Sequence, residues 1–297
     1  MFPRFGVWSV LLCAALPLHT LACDACGCSA AGPATLGLLP ATRGHFAGLS
    51  FQQQSFKTAT ADQAYTTVQA WGRASLSKRW QLYGFVPYRL NRIQQDATRT
   101  HLSGIGDVSV LLQAVVFRRD ADSGAPQQVL LAGAGFKAPT GRHLSETDLS
   151  RQALPNSQPG TGAWDGQLAA SYTLTGIRAG FNAEASYVLT TPNADDYKYG
   201  NRLGTSVTAF LRRRTGTVEW LPIAGGRFEY LLHNYTRYSR RWLNRQTGGS
   251  VVYAQAGVQA YLGRLGVSVL WSQPVYQAAS GDLHTGSRLD GSLTFFF

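Results

Sequence analysis

Apolar side chains recur at every second position over long stretches of this chain, and that periodicity limits its architecture more than any other feature. Leu168, Ala170, Tyr172 and Leu174 alternate with Gln167, Ala169, Ser171 and Thr173. Phe181, Ala183, Ala185, Tyr187 and Leu189 alternate with Asn182, Glu184, Ser186 and Thr190. Leu265, Val267, Val269 and Trp271 do the same against Gly266, Ser268 and Ser272. Period two is the signature of a strand whose two faces meet different surroundings. Gly, Asp, Asn, Pro and Arg clusters punctuate the pattern into twelve strands: 44–57, 65–78, 81–92, 103–118, 127–138, 164–174, 178–190, 200–213, 217–232, 249–262, 265–276 and 286–297. Most exceed the roughly 9–11 residues that a tilted strand needs to cross a bilayer. Beyond the first 22 residues no run approaches the ~18 apolar residues of a membrane helix.

The expected fold is therefore an all-β, antiparallel transmembrane β-barrel of twelve strands. An even count returns both termini to one side of the membrane. With that side periplasmic, the external connections include 91–102, 139–163, 191–199, 233–248 and 277–285, whereas 78–81, 175–177 and 263–264 are tight and 118–127 is the one long exception. Such barrels have short periplasmic turns and longer external loops, and a soluble sandwich has no reason to alternate this way. The last strand places Leu289, Gly291, Leu293, Phe295 and Phe297 on one face and Arg288, Asp290, Ser292 and Thr294 on the other. Only Phe296 breaks the scheme. In water that apolar edge would invite aggregation, which closure against the first strand removes. A terminal Phe also looks like the signal that barrel assembly machinery reads.

Composition and charge agree. Charged residues are 14% of the chain against a typical ~25%, and aromatic residues are plentiful. The net charge of +11 does not point to nucleic acid. The basic residues (Lys78 and Arg79, Arg118 and Arg119, Arg212 to Arg214) sit at turns, without a basic helix or a nucleic-acid module. The implied partners are outer-membrane lipid, lipopolysaccharide and a small-molecule solute.

Residues 1–22 read as a cleaved signal peptide: Arg4, then an apolar stretch from Phe5 to Leu18, then a small-residue site ending at Ala22. Residues 23–43 form a Cys-containing periplasmic or plug segment, and 44–297 the barrel. Cys23, Cys26 and Cys28 lie within six residues, a spacing that can converge on a soft metal such as Cu or Zn. A disulfide in an oxidising periplasm, or lipidation of Cys23, explains the same cysteines.

Four blocks stand in order at strand ends: Phe85-Val86-Pro87-Tyr88, Gly104-Ile105-Gly106-Asp107-Val108, Gly135-Phe136-Lys137-Ala138-Pro139-Thr140-Gly141, and Pro159-Gly160-Thr161-Gly162-Ala163-Trp164-Asp165. Together they resemble the phenol meta-pathway (MetA-type) outer-membrane transporter-like β-barrel family. The resemblance covers about residues 80–175. It implies a barrel in the bacterial outer membrane that takes up or exports small solutes, aromatic or hydrophobic compounds among them. Turn chemistry at a strand end accounts for these blocks more simply than ligand contact does.

Three functions compete. As a channel or transporter, the protein would line its lumen with Asn182, Glu184, Arg227, Glu229, His233, Gln255 and Gln259, placed inward by alternation; Arg227 and the glutamates could also pair and brace the wall. As a barrel-anchored metal- or redox-linked binding module, it would use Cys23, Cys26 and Cys28. As an outer-membrane lipolytic enzyme it would need a Ser–His pair oriented by a third group, and His143 with Ser145 and Glu146 is the nearest approach. The channel is the expected function, and catalysis is not.

Overall fold

The computed structural model describes residues 44–59, 61–95, 98–122, 125–143, 157–236, 241–244, 247–280 and 283–297. Its main strands are β1 (Phe46–Lys57), β2 (Ala61–Ser75), β3 (Trp80–Gln95), β4 (Thr98–Ile105 and Ser109–Arg119), β5 (Gln127–Lys137), β6 (Asp165–Thr175), β7 (Ala179–Thr190), β8 (Arg202–Leu211, continued by Arg213–Thr215), β9 (Val218–Leu231), β10 (Gly249–Leu262), β11 (Leu265–Ala279) and β12 (His284–Phe296). Each pairs antiparallel with its neighbour in sequence, and β1 pairs with β12 from Phe46↔Phe296 to Lys57↔His284. The sheet is thus a closed twelve-stranded barrel. Closure gives every strand two hydrogen-bonded neighbours, the condition for a sheet to stand in hydrocarbon.

The alternation read from the sequence is the alternation of the wall. Leu168, Leu189, Val207, Val267, Val269, Trp271, Leu289, Leu293 and Phe295 are exposed on the outer face. Gln167, Asn182, Thr208, Gln255, Gln259, Ser272, Arg288 and Thr294 are buried on the inner one. Exposed aromatics mark both rims, with Trp80 and Trp220 at the end bearing the termini and Phe136 against Trp164 at the other. Such paired girdles are what barrels place at the two membrane interfaces. Gly216 and Gly263 take left-handed φ of 60° and 57° in the tight turns of the first end, a conformation glycine adopts without steric cost.

Two connections differ from expectation. Strands β3 and β4 continue through most of 91–102, leaving only residues 96 and 97 between them, and β11 runs on to Ala279. The outward residues of the first extension are Arg92, Gln94, Arg99 and His101. The hairpin is polar outside because it stands beyond the apolar belt, where strand pairing persists without lipid. Above the barrel, two-residue strands at Tyr197–Lys198, Tyr235–Thr236 and Arg241–Trp242 join two of the long connections in a small sheet.

The inner wall is not uniform. Toward the end bearing the termini, Phe46, Trp71, Tyr83, Phe85, Leu111, Phe210, Leu221, Ile223, Tyr261, Leu270 and Phe296 form one buried apolar cluster, with Ala169 packed on it. These residues come from ten strands, so the cluster is a layer around the lumen. Phe296, which broke the alternation, points inward and packs on Phe46 and Tyr261.

Candidate functional site

The lumen above the apolar layer is polar. Asn182 donates to Thr173 Oγ1 at 2.9 Å, and Ser206 donates to Glu184 at 3.4 Å. Gln255 donates to Ser272 Oγ at 3.0 Å, while Gln259 accepts from Tyr261 at 3.2 Å. Arg227 Nε lies 2.5 Å from Glu229 Oε1. Arg288 reaches the same carboxylate at 3.2 Å and holds Asp290 at 2.9 Å. Four charges are thus tied into one chain from β9 to β12, with Gln52 donating to Asp290 at 2.8 Å. Gln54 donates to the Tyr253 hydroxyl beside it.

Six of the seven lumen residues expected from the sequence therefore face inward, and Arg227 and Glu229 are brought together. His233 lies just past the end of β9, where its Nδ1 meets the Thr247 carbonyl and ties down the connection to β10. Sequence reasoning missed Arg288, which bridges Glu229 and Asp290. Arg288 and Asp290 stood on the polar face of the last strand, but only the closed ring brings that strand opposite β9. Cys23, Cys26 and Cys28, with Ser145 and Glu146, lie outside the described residues. His143 meets Asp195 at 2.7 Å, joining the connection after β5 to the one after β7.

Several inward amides leave one of their two polar atoms without a partner among the described residues. Gln63 Nε2 and the Oε1 atoms of Gln113, Gln167 and Gln255 make no hydrogen bond among the described residues, although all four side chains are buried. A buried polar atom left unpaired costs about 1–3 kcal/mol, so a dry interior would select against this set.

The four sequence blocks meet above the apolar layer, to which Phe85 of the first block itself belongs. Pro87 cannot donate to the ladder, and β4 is interrupted opposite it. The pairing Tyr88↔Ile105 gives way to Phe85↔Ser109, so three residues of β4 face two of β3. This bulge turns Asp107 inward. There its carboxylate accepts from the Gly141 amide at 3.0 Å and the Thr161 amide at 2.9 Å. Lys137 stands between two carboxylates, 2.9 Å from Asp107 and 2.6 Å from Asp165, and donates to Thr161 Oγ1. All three charged side chains are at most 10% exposed.

This cluster seats the end of the longest connection in the barrel mouth. Ser157, Gln158, Thr161 and Ala163 are buried, Asn91 donates to the Ser157 carbonyl at 2.6 Å, and Asn193 donates to the Thr161 carbonyl at 3.2 Å. Gly141 and Gly160 cross in contact: a Cβ on Gly160 would lie 2.7 Å from the Gly141 carbonyl carbon. Gly160→Val is expected to cost about 1–3 kcal/mol as an overpacked contact and to hasten trypsin cleavage at Arg142. Unchanged cleavage would mean the crossing does not hold the connection in place.

Residues 41–214 match the family model described as "Putative MetA-pathway of phenol degradation". Among solved structures, the COG4313 outer membrane channel from Pseudomonas putida F1 is similar at 16% identity, with 87% of this chain and 97% of that one covered and a TM-score of 0.61. The beta domain of the Bordetella autotransporter Brka is similar at 11% identity, with 86% and 100% covered and a TM-score of 0.50. At these identities both establish the outer-membrane barrel fold. No curated protein matches the sequence.

Proposed function

Because this chain belongs to the phenol-degradation MetA-pathway family, we propose that it is an outer-membrane channel for small solutes, with aromatic and hydrophobic compounds as its cargo. The set of inward amide atoms left unpaired among the described residues carries the reading, because those atoms call for water or a polar solute inside the barrel. The solute would enter at the mouth where Asp107, Lys137 and Asp165 hold the 157–163 segment. It would pass the polar wall of Asn182, Glu184, Arg227, Glu229, Gln255 and Gln259, then leave through the apolar layer into the periplasm. Twelve strands enclose a narrower bore than the 16–18 of open porins, which suits selective passage. The apolar outer belt would face lipid, with lipopolysaccharide at the rim of the longer connections. Residues 23–43, with Cys23, Cys26 and Cys28, would hang below the barrel or enter it.

Planar-bilayer recording tests this reading on the mature chain and on a variant lacking 23–43. Discrete conductance steps are expected from at least the shortened form. Inserted protein that never conducts in either form would refute the channel.

A further inference from the structure

We infer that the periplasmic mouth holds an anion-binding pocket, and that the cargo class includes small aromatic carboxylates; the second part rests on the channel reading above. The pocket has a volume of about 490 Å³ and is lined by Ile177, Arg212, Arg213, Arg214, Thr217, Glu219, Tyr261 and Gly263. That size is within the usual range for small-molecule sites.

Register places it on the lumen side. Phe210 pairs with Ile223 and Arg214 with Glu219 at one unbroken offset, so Arg212 and Arg214 share the inward face of Phe210. Glu219 in turn pairs with Tyr261, whose ring is buried. Tyr261 thus belongs both to the apolar layer and to the pocket wall.

Arg212 and Arg214 on the inward face, with Arg213 on the rim between them, line the cavity against one carboxylate. Glu219 lies 2.6 Å from Arg212, which neutralises one of them and leaves the pocket with a net positive charge. Guanidinium is the side chain best shaped to grip a planar carboxylate. An aromatic carboxylate satisfies both halves, with its ring against the Tyr261 side and its charge among the arginines. A phospholipid phosphate would approach from the outer face, whereas Arg212 and Arg214 point to the inner one.

The test compares benzoate with benzyl alcohol, a neutral molecule of similar shape, by equilibrium dialysis against the full chain in detergent micelles. Arg213→Gln/Arg214→Gln is the diagnostic variant, since both side chains are exposed and lie outside the barrel wall's packing. Benzoate should bind about tenfold more tightly than benzyl alcohol, and the variant should lose that margin while benzyl alcohol is unaffected. Equal binding of the two, or benzoate binding that ignores the arginines, overturns the pocket. So does capture of phosphatidylglycerol by the same arginines without benzoate binding. Conductance in KCl is read in parallel: a conducting protein that does not bind benzoate refutes the pocket alone, and silence both with and without residues 23–43 refutes the channel.

Discussion

Lys137→Met is expected to destabilise the barrel by about 3–5 kcal/mol, because it leaves two buried carboxylates facing each other without a cation. Asp107 and Asp165 are at most 5% exposed and both contact the ammonium. Methionine keeps most of the side-chain volume, so the loss reports charge and hydrogen bonds rather than a cavity. The effect should also be local. Asp107 holds Thr161 and Gly141, and Asp165 accepts from the Thr191 amide, so repulsion between the carboxylates pulls at two connections together. Urea unfolding in detergent measures the first consequence, and trypsin cleavage at Arg142 the second. The triple variant Asp107→Asn/Lys137→Met/Asp165→Asn should recover most of the loss, since amides need no counter-charge. If Lys137→Met alone unfolds like the unmodified chain, the three charges are not coupled as the geometry indicates.

The same cluster shows where sequence reasoning stops. Strand identity was legible because a period of two is a local property, and it holds on either side of the β4 bulge opposite Pro87. The closed ring was legible from the C-terminal strand, whose apolar outer face needs a partner. Asp107, Lys137 and Asp165 were each visible as residues at strand ends, and turn chemistry explained each one separately. Their convergence was not legible. It depends on a parity change at 106–108 and on a connection of more than twenty residues folding back into the mouth, neither of which has a periodic signature. Arg288 meets Glu229 for a similar reason, across a ring whose register the sequence does not state. His233 marks the opposite error: parity was extended past Leu231, where the strand had already ended.

The apolar layer was hidden by its chemistry. Phe296, Tyr261, Trp71 and Phe46 lie at inward positions, where alternation predicts polar side chains, and only Phe296 stood out in the sequence as an exception to the pattern. Together they belong to the larger of the two buried apolar clusters among the described residues, a stretch of the inner wall that disfavours water and ions. Trp71 and Phe46 meet edge to face at 4.6 Å, Phe46 lies 6.4 Å from Tyr83, and the Arg73 guanidinium stacks on Phe46 at 5.1 Å. Each ring removed withdraws roughly 150–250 Å² of apolar surface from the layer. Phe46→Ala/Trp71→Ala should therefore raise single-channel conductance several-fold and weaken discrimination between aromatic and aliphatic solutes of equal size. Trp71→Phe, which keeps a ring in place, should leave both near their starting values. Core truncations of this kind cost about 3–5 kcal/mol each in a soluble protein, so the folded fraction is checked by heat-modifiable gel mobility before any recording. The outer belt and the 157–163 seat are untouched by these changes, so a rise in conductance would locate the barrier in the layer. Conductance unchanged in a folded double variant would place the barrier elsewhere along the lumen, with the 157–163 segment at the opposite mouth as the remaining constriction.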